Sequence, residues 1–155
     1  MPHIKLLLPL FALALAGCVT TNSGPVAFYD VSKLEVPPSR ESHVYFMRPG
    51  HLIGALMSAK ITMNGRTVGS LSNGSYFVVK TPPGQYQVSL EWGLFSGRQT
   101  LEVTARPGER TYVEAECQTT RYTGTVTYYN CLAAVVPEIR ALRILPDLSV
   151  LKSDL

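Results

Sequence analysis

The chain has 155 residues, 46% hydrophobic and 16% charged, with no block of like charges, which excludes a disordered chain and leaves room for one domain with a real core. A formal net charge of +3, with Lys and Arg scattered along the chain, is too small for a nucleic-acid footprint, so no nucleic-acid partner is expected.

Residues 1–17 carry His3 and Lys5, then the apolar run Leu6 to Leu15 interrupted by Pro9, then small residues, which is the layout of a secretory signal peptide. The run is shorter than the roughly 20 apolar residues of a membrane-spanning helix. The tetrad Leu15-Ala16-Gly17-Cys18 resembles the lipobox of bacterial lipoproteins. That resemblance implies cleavage between Gly17 and Cys18 and a lipid on the Cys18 thiol, so the expected membrane partner is reached through acyl chains. The residue after it is Val19 rather than Asp, which by the sorting rule of enteric bacteria implies the outer membrane, facing the periplasm. Loss of Lys5 with the signal leaves 13 basic against 11 acidic residues, or +2.

Residues 18–42, broken by Gly24, Pro25, Pro37 and Pro38, read as a lipidated tether, with the apolar island Val26-Ala27-Phe28-Tyr29 as a candidate for docking on the domain. From residue 43 to 155, short runs rich in Val, Ile, Thr, Tyr and Phe alternate with turn signals, the pattern of an all-β sandwich or barrel. His43 to Arg48 is the first strand, stopped by Pro49-Gly50. Ala59 to Met63 and Arg66 to Gly69 flank Asn64-Gly65, a pair that accepts positive φ at both turn positions and so predicts a tight hairpin. Ser75 to Lys80, the turn Pro82-Pro83-Gly84 and the strand Tyr86 to Trp92 follow. In that strand Val88, Leu90 and Trp92 share the face opposite Gln87, Ser89 and Glu91. Gln99 to Ala105 and Arg110 to Cys117 are strands around Arg106-Pro107-Gly108. Ala141 to Leu145 reads as a last strand, followed by a short C-terminal helix capped by Asp147.

Cys117 and Cys131 are equidistant from Gly124. A hairpin turning there opposes the two cysteines, Ala115 with Ala133 and Val113 with Val135, and puts Glu114 and Glu116 on the other, exposed face. That spacing suits a disulfide, formed on export through an oxidising compartment; the alternative is two buried thiols.

The run Val44 to Gly50, Gly54-Ala55, Ile61 to Gly69, Leu71, Asn73 to Tyr76 and Pro82-Pro83-Gly84-Gln85-Tyr86 resembles a family of bacterial envelope domains known as domain of unknown function 2846, with Leu142 to Leu145 similar to its closing segment. The PPGxY element also resembles the PEGA and carboxypeptidase-regulatory type of domain. Together they imply a transthyretin-like antiparallel β-sandwich of about seven strands. The segment with Cys117 and Cys131 departs from the family pattern, which leaves strand order after residue 117 open.

Chemistry is sparse. His43 and His51 are the histidines left after cleavage, at no metal-ligand spacing, and read as solvated. No GxSxG, GxGxxG or GxxxxGK occurs, and Glu114 and Glu116 read as solubilising neighbours on one strand, so no catalytic residue, metal or cofactor is expected. Two candidate contact tips stand out. Trp92, Leu94 and Phe95 lie beside Gly93 and Gly97, and Arg121, Tyr122, Tyr128 and Tyr129 lie about the hairpin at Gly124. In both cases packing on the domain's own sheet is the alternative. The expected function is a non-enzymatic, membrane-anchored module that binds or scaffolds another envelope protein or glycan. The other classes are an enzyme acting on envelope glycans or lipids and a passive structural lipoprotein.

Overall fold

The computed structural model describes residues 30–52, 54–93, 97–122, 124 and 127–154. Among them nine strands form two sheets, and the fold is an all-β sandwich. The strands are β1 (Ser42–Arg48), β2 (Ala59–Met63), β3 (Arg66–Leu71), β4 (Ser75–Thr81), β5 (Gly84–Glu91), β6 (Arg98–Ala105), β7 (Arg110–Tyr122), β8 (Thr127–Val136) and β9 (Ser149–Val150), with a short helix α1 (Glu138–Ile144) between β8 and β9. One sheet runs β8-β7-β1-β4-β9 and the other β3-β2-β5-β6. The count exceeds the expected seven partly because β9 is a two-residue strand.

Alternation along the strands accounts for the layers. Val44, Phe46, Phe77, Val79, Val113 and Ala115 point from the larger sheet onto Ile61, Val68, Leu71, Val88, Leu90 and Val103 of the smaller one, forming the main core. Every residue of β1 is buried, because this strand lies at the centre of its sheet and is covered on both faces. Its outward residues Tyr45 and Met47 pack with Tyr112 beneath Ala141, Leu142 and Leu145. Tyr45 and Tyr112 rings lie 5.0 Å apart.

The local turn signals hold. Asn64 and Gly65 take φ of 48° and 81°, the doubly positive turn that joins β2 to β3. β5 buries Val88 and Leu90 and leaves Gln87 exposed. Around Arg106-Pro107-Gly108 the chain changes sheets, so β7 pairs with β1 in parallel, His43 opposite Arg110. The side of the sandwich is closed where the two edge strands β6 and β8 meet: Gln99 donates its amide to the Ala133 carbonyl at 3.0 Å and accepts from the Ala133 amide.

Three expectations are corrected. Residues 141–145 are helical, not extended. Ala141, Leu142 and Leu145 recur at helical spacing and cover Tyr45 and Tyr112, and Pro137 and Glu138 open the first turn. Asp147 caps no terminal helix; it ends a 3-10 turn at Leu145–Asp147, after which β9 pairs in parallel with β4. Glu114 is not on an open face but 7% exposed, because α1 lies over it and Arg140 pairs with both its carboxylate oxygens.

Within residues 18–42, the segment from Asp30 onward lies against the domain; Val26 to Tyr29 are outside the described residues. A 3-10 turn at Val31–Lys33 is capped by the Asp30 carboxylate, Leu34 is buried against Tyr45 and Tyr112, and Lys80 donates to both Glu35 oxygens at 2.7 Å. The Lys80 hydrogen bond holds the Glu35 carboxyl below its ordinary 4.5, and the same bond raises Lys80 above 10.5.

Two outcomes follow. Glu35 contributes above its ordinary value and loses that contribution as pH falls through the lower folded value; Lys80 contributes below 10.5 and loses it as pH rises through the higher folded value. The Leu34 methyl resonances should therefore move toward random-coil positions at both pH extremes while those of Val44 hold, and Leu34 signals unchanged in acid would refute the clasp. Separately, a Cβ on Gly69 would lie 2.9 Å from Cζ of the buried Phe77 ring, so Gly69→Ala should cost about 1–3 kcal/mol in urea unfolding. An unchanged midpoint would show that the ring has room to move.

Candidate functional site

The end of the sandwich where β1 gives way to β2 concentrates the unusual side chains. Arg48 shares the inward parity of Val44 and Phe46, so its guanidinium enters the space between the sheets and is 2% exposed. Among the described ion pairs none includes Arg48. Its charge is met instead by dipoles: Nη2 donates to the Gly54 carbonyl at 2.6 Å, Nη1 donates to the Met57 carbonyl, and the guanidinium carbon lies 5.0 Å from the centroid of the Trp92 ring. Burial pulls the guanidinium below its ordinary pKa. An ionised side chain removed from water without such partners would be very costly, so the two carbonyls are held where the arginine needs them.

Those carbonyls belong to the connection between β1 and β2. Ala55 N–H donates to Leu52 O at 3.3 Å and Met57 N–H to Gly54 O at 2.9 Å, which coil the connection into tight turns. A Cβ at Gly54 would lie 3.3 Å from Cys117 Cβ and 3.4 Å from Arg48 Nη2, so the backbone rests directly on β7. Held in this way, the connection carries Leu52 and Leu56 at 97% and 103% exposure, the most exposed of the large hydrophobic side chains described. A buried cation thus braces a loop whose apolar side chains face solvent.

Beneath Gly54, Cys117 and Cys131 face each other across β7 and β8 in the register expected from Gly124, with Ala115 opposite Ala133 and Val113 opposite Val135. Their sulfurs are at bonding distance, 2.02 Å, and both residues are 5% exposed. In the chain-entropy picture, closing a loop of this size stabilises by about 3 kcal/mol.

The predicted contact residues divide. Trp92 is 3% exposed and belongs to the core, where it receives Arg48 and keeps Val88 and Leu90 company; of its two readings, packing on the domain's own sheet holds, because it directly follows β5 and continues the inward parity of Val88 and Leu90. Leu94 and Phe95 lie outside the described residues. Arg121 and Tyr122 fall at the end of β7 and Tyr128 near the start of β8, with their side chains outside the description, while Tyr129 is half-buried against the core. Gly17 and Cys18 lie outside the described residues as well. Arg48, Leu52 and Leu56 were missed as a unit, although the inward parity of Arg48 was available from the strand itself.

The histidines do not converge on a reaction centre. His43 is buried rather than solvated, at 1% exposure, with Nε2 at 2.8 Å from Glu41 and Nδ1 without a hydrogen-bond partner, at the far end of β1 from the braced loop. His51 is exposed and lies 3.8 Å from Glu116. An open groove beside it runs over Glu114, Glu116, Leu132 and Ala134 to Arg140, where Glu114 is already engaged. Among the described residues no three His, Cys, Asp or Glu side chains group to hold a metal, and no helix is long and apolar enough to cross a membrane.

A family model described as "Protein of unknown function (DUF2846)" matches residues 38–126. No curated protein and no solved structure matches the chain. The matched stretch contains β1 to β7, and with them Arg48, the connection it braces, Trp92 and Cys117.

Arg48→Met should separate local from global stability. Replacing a buried charge by an apolar side chain of similar length is expected to change the unfolding free energy by no more than about 1–2 kcal/mol. Amide exchange at residues 54–57 should rise about tenfold or more as the Met57 carbonyl loses the arginine donor and the Gly54 carbonyl one of its two donors. Unchanged exchange there would show that the loop holds itself.

Proposed function

The chain belongs to the DUF2846 family, and from that starting point we propose that it is a lipid-anchored module of the bacterial envelope that works by surface contact rather than by catalysis. It is cut before Cys18, carries acyl chains on that cysteine, and resides at the outer membrane facing the periplasm. What supports the anchor is the sequence layout of residues 1–18 and the Val19 that follows. An oxidising envelope would also let Cys117 and Cys131 form their bond.

The observation that carries the contact role is the pairing of a buried, carboxylate-free Arg48 with two fully exposed leucines on the loop it braces. Exposed apolar side chains contribute nothing to the domain's own core, and a rigid support for them is expected where they meet another component. In this reading the loop end is the leading contact surface. His51 and Glu116, set on an open surface beside an already paired Glu114, offer no convergent cleft for hydrolysis of glycans or lipids.

The test compares Leu56→Cys in an otherwise native background with the same change in a Cys18→Ala background. Purified in detergent, the exposed thiol should react readily with a maleimide. In intact producing cells, labelling of the anchored form should slow about tenfold because the loop is covered, and membrane fractionation should find it with the membranes. The Cys18→Ala form should lose membrane association and regain fast labelling. Equal partitioning of the two forms would refute the anchor, and equal labelling with the anchor intact would refute contact through this loop.

A further inference from the structure

We infer that the surface met by the Leu52–Leu56 loop is the lipid bilayer itself, so that the protein holds its membrane at two places, by acyl chains at Cys18 and by this loop. The inference rests on the anchored reading above and goes further by naming what covers the loop.

The side chains favour lipid over a protein partner. Residues 52–59 are Leu, Ile, Gly, Ala, Leu, Met, Ser and Ala, with no charge and no aromatic ring, and one hydroxyl. Protein contact sites draw their energy from Trp, Tyr and Arg and are poor in Leu, because specificity needs directional groups. A fluid hydrocarbon phase needs none. Leu52 and Leu56 are 97% and 103% exposed, which leaves both side chains free to enter between headgroups.

Electrostatics agree. No Asp or Glu occurs between Glu41 and Glu91, while the uncharged run is bordered by His51 and Lys60, so an anionic headgroup layer meets little repulsion from this stretch; the Glu116 carboxylate, which lines a hollow with Leu52, lies 3.8 Å from His51. Reach agrees as well. Residues 19–29 link Cys18 to Asp30, and eleven residues can reach at most about 38 Å. The seven residue steps from Arg110 to Cys117, which separate the clasp of Glu35 from the loop, cover about 23 Å of strand. A domain on so short a leash has the bilayer at high effective concentration and can lie with the loop against it. The brace by Arg48 matters here, since a loop already in its inserted shape loses little freedom on insertion.

The experiment places a tryptophan at the loop. The full lipidated chain carrying Leu56→Trp, and separately Val36→Trp, is reconstituted into phosphatidylethanolamine–phosphatidylglycerol vesicles whose acyl chains are brominated. Val36, 73% exposed beside the clasp, reports on the opposite end of the sandwich, and the buried Trp92 gives the unquenched background. The Leu56→Trp emission should shift to the blue and be quenched about twofold or more by bromine, with Val36→Trp unaffected, and adding Leu52→Asp should abolish the quenching. Quenching at position 36 instead, or at neither position, would overturn the inference. So would a photo-crosslinker at position 56 that captures a protein in cells while no bromine quenching is seen; that result would leave the anchored contact module standing. Mass spectrometry of the native protein that finds no acyl chains on Cys18 would refute the anchor, whatever the loop does.

Discussion

A guanidinium set into the open end of a hydrocarbon core is the constraint around which this domain is arranged. Arg48 could escape to solvent only if β1 were rotated to put Val44 and Phe46 on its outer face, and those two residues lie at the centre of the inter-sheet packing. The charge is therefore trapped by the register of its own strand, and the neighbouring chain has to meet it. Gly54 and Met57 turn their carbonyls inward, Trp92 presents its ring, and Cys117 packs against Gly54 from the opposite strand. One inward residue thereby ties the β1–β2 connection, the end of β5 and the β7–β8 hairpin into a single end of the sandwich.

The other face of β1 obeys a different logic. A strand with both faces buried must be covered twice, and the smaller sheet covers it once. The second cover is assembled from pieces at either end of the described chain: α1 lays Ala141 and Leu142 over Tyr45 and Tyr112, and the clasp of residues 30–41 adds Leu34. Glu138 joins the two, accepting from Arg110 at 3.0 Å and from the Tyr112 hydroxyl at 2.8 Å; burial first, and that bond second, push the phenol well above its ordinary pKa. The parallel pairing of β1 with β7 follows from the same need, because the turn at residues 106–108 must carry the chain from one sheet to the other before it can flank β1.

What was legible in the sequence was local. Asn64-Gly65 declares its turn because few residue pairs tolerate two positive φ angles. The inward set Val88, Leu90 and Trp92 follows from a period of two, and the symmetry of Cys117 and Cys131 about Gly124 gives eight residue pairs of the β7–β8 ladder, from Tyr112–Val136 to Thr119–Tyr129, before a one-residue shift displaces the last two. What stayed hidden was decided by layers. Ala141 to Leu145 is a short apolar run, which cannot declare helix or strand until the tyrosines it covers are known. Glu114 looked like a wet residue because alternation tells the two faces of a strand apart but not whether the second face is roofed. For Trp92 the inward parity was legible but its partner was not: Arg48, whose guanidinium it receives, lies 44 positions away.

Arg48 and the leucines it supports also explain each other. A buried cation with no carboxylate partner among the described residues and two fully solvent-facing leucines each run against what core packing favours, and neither contributes what an apolar residue at 48 and polar residues at 52 and 56 would provide. Considered separately they are two defects. Considered together, the carbonyls that satisfy the arginine sit between the leucines, at Gly54, and just after them, at Met57, so burying the charge holds the backbone that carries them. A loop of that kind is ready to enter an apolar phase with its conformation already set, whereas an unbraced one would surrender its freedom at the moment of contact. The arrangement is intelligible as support for a surface, and it is hard to derive from the needs of the core.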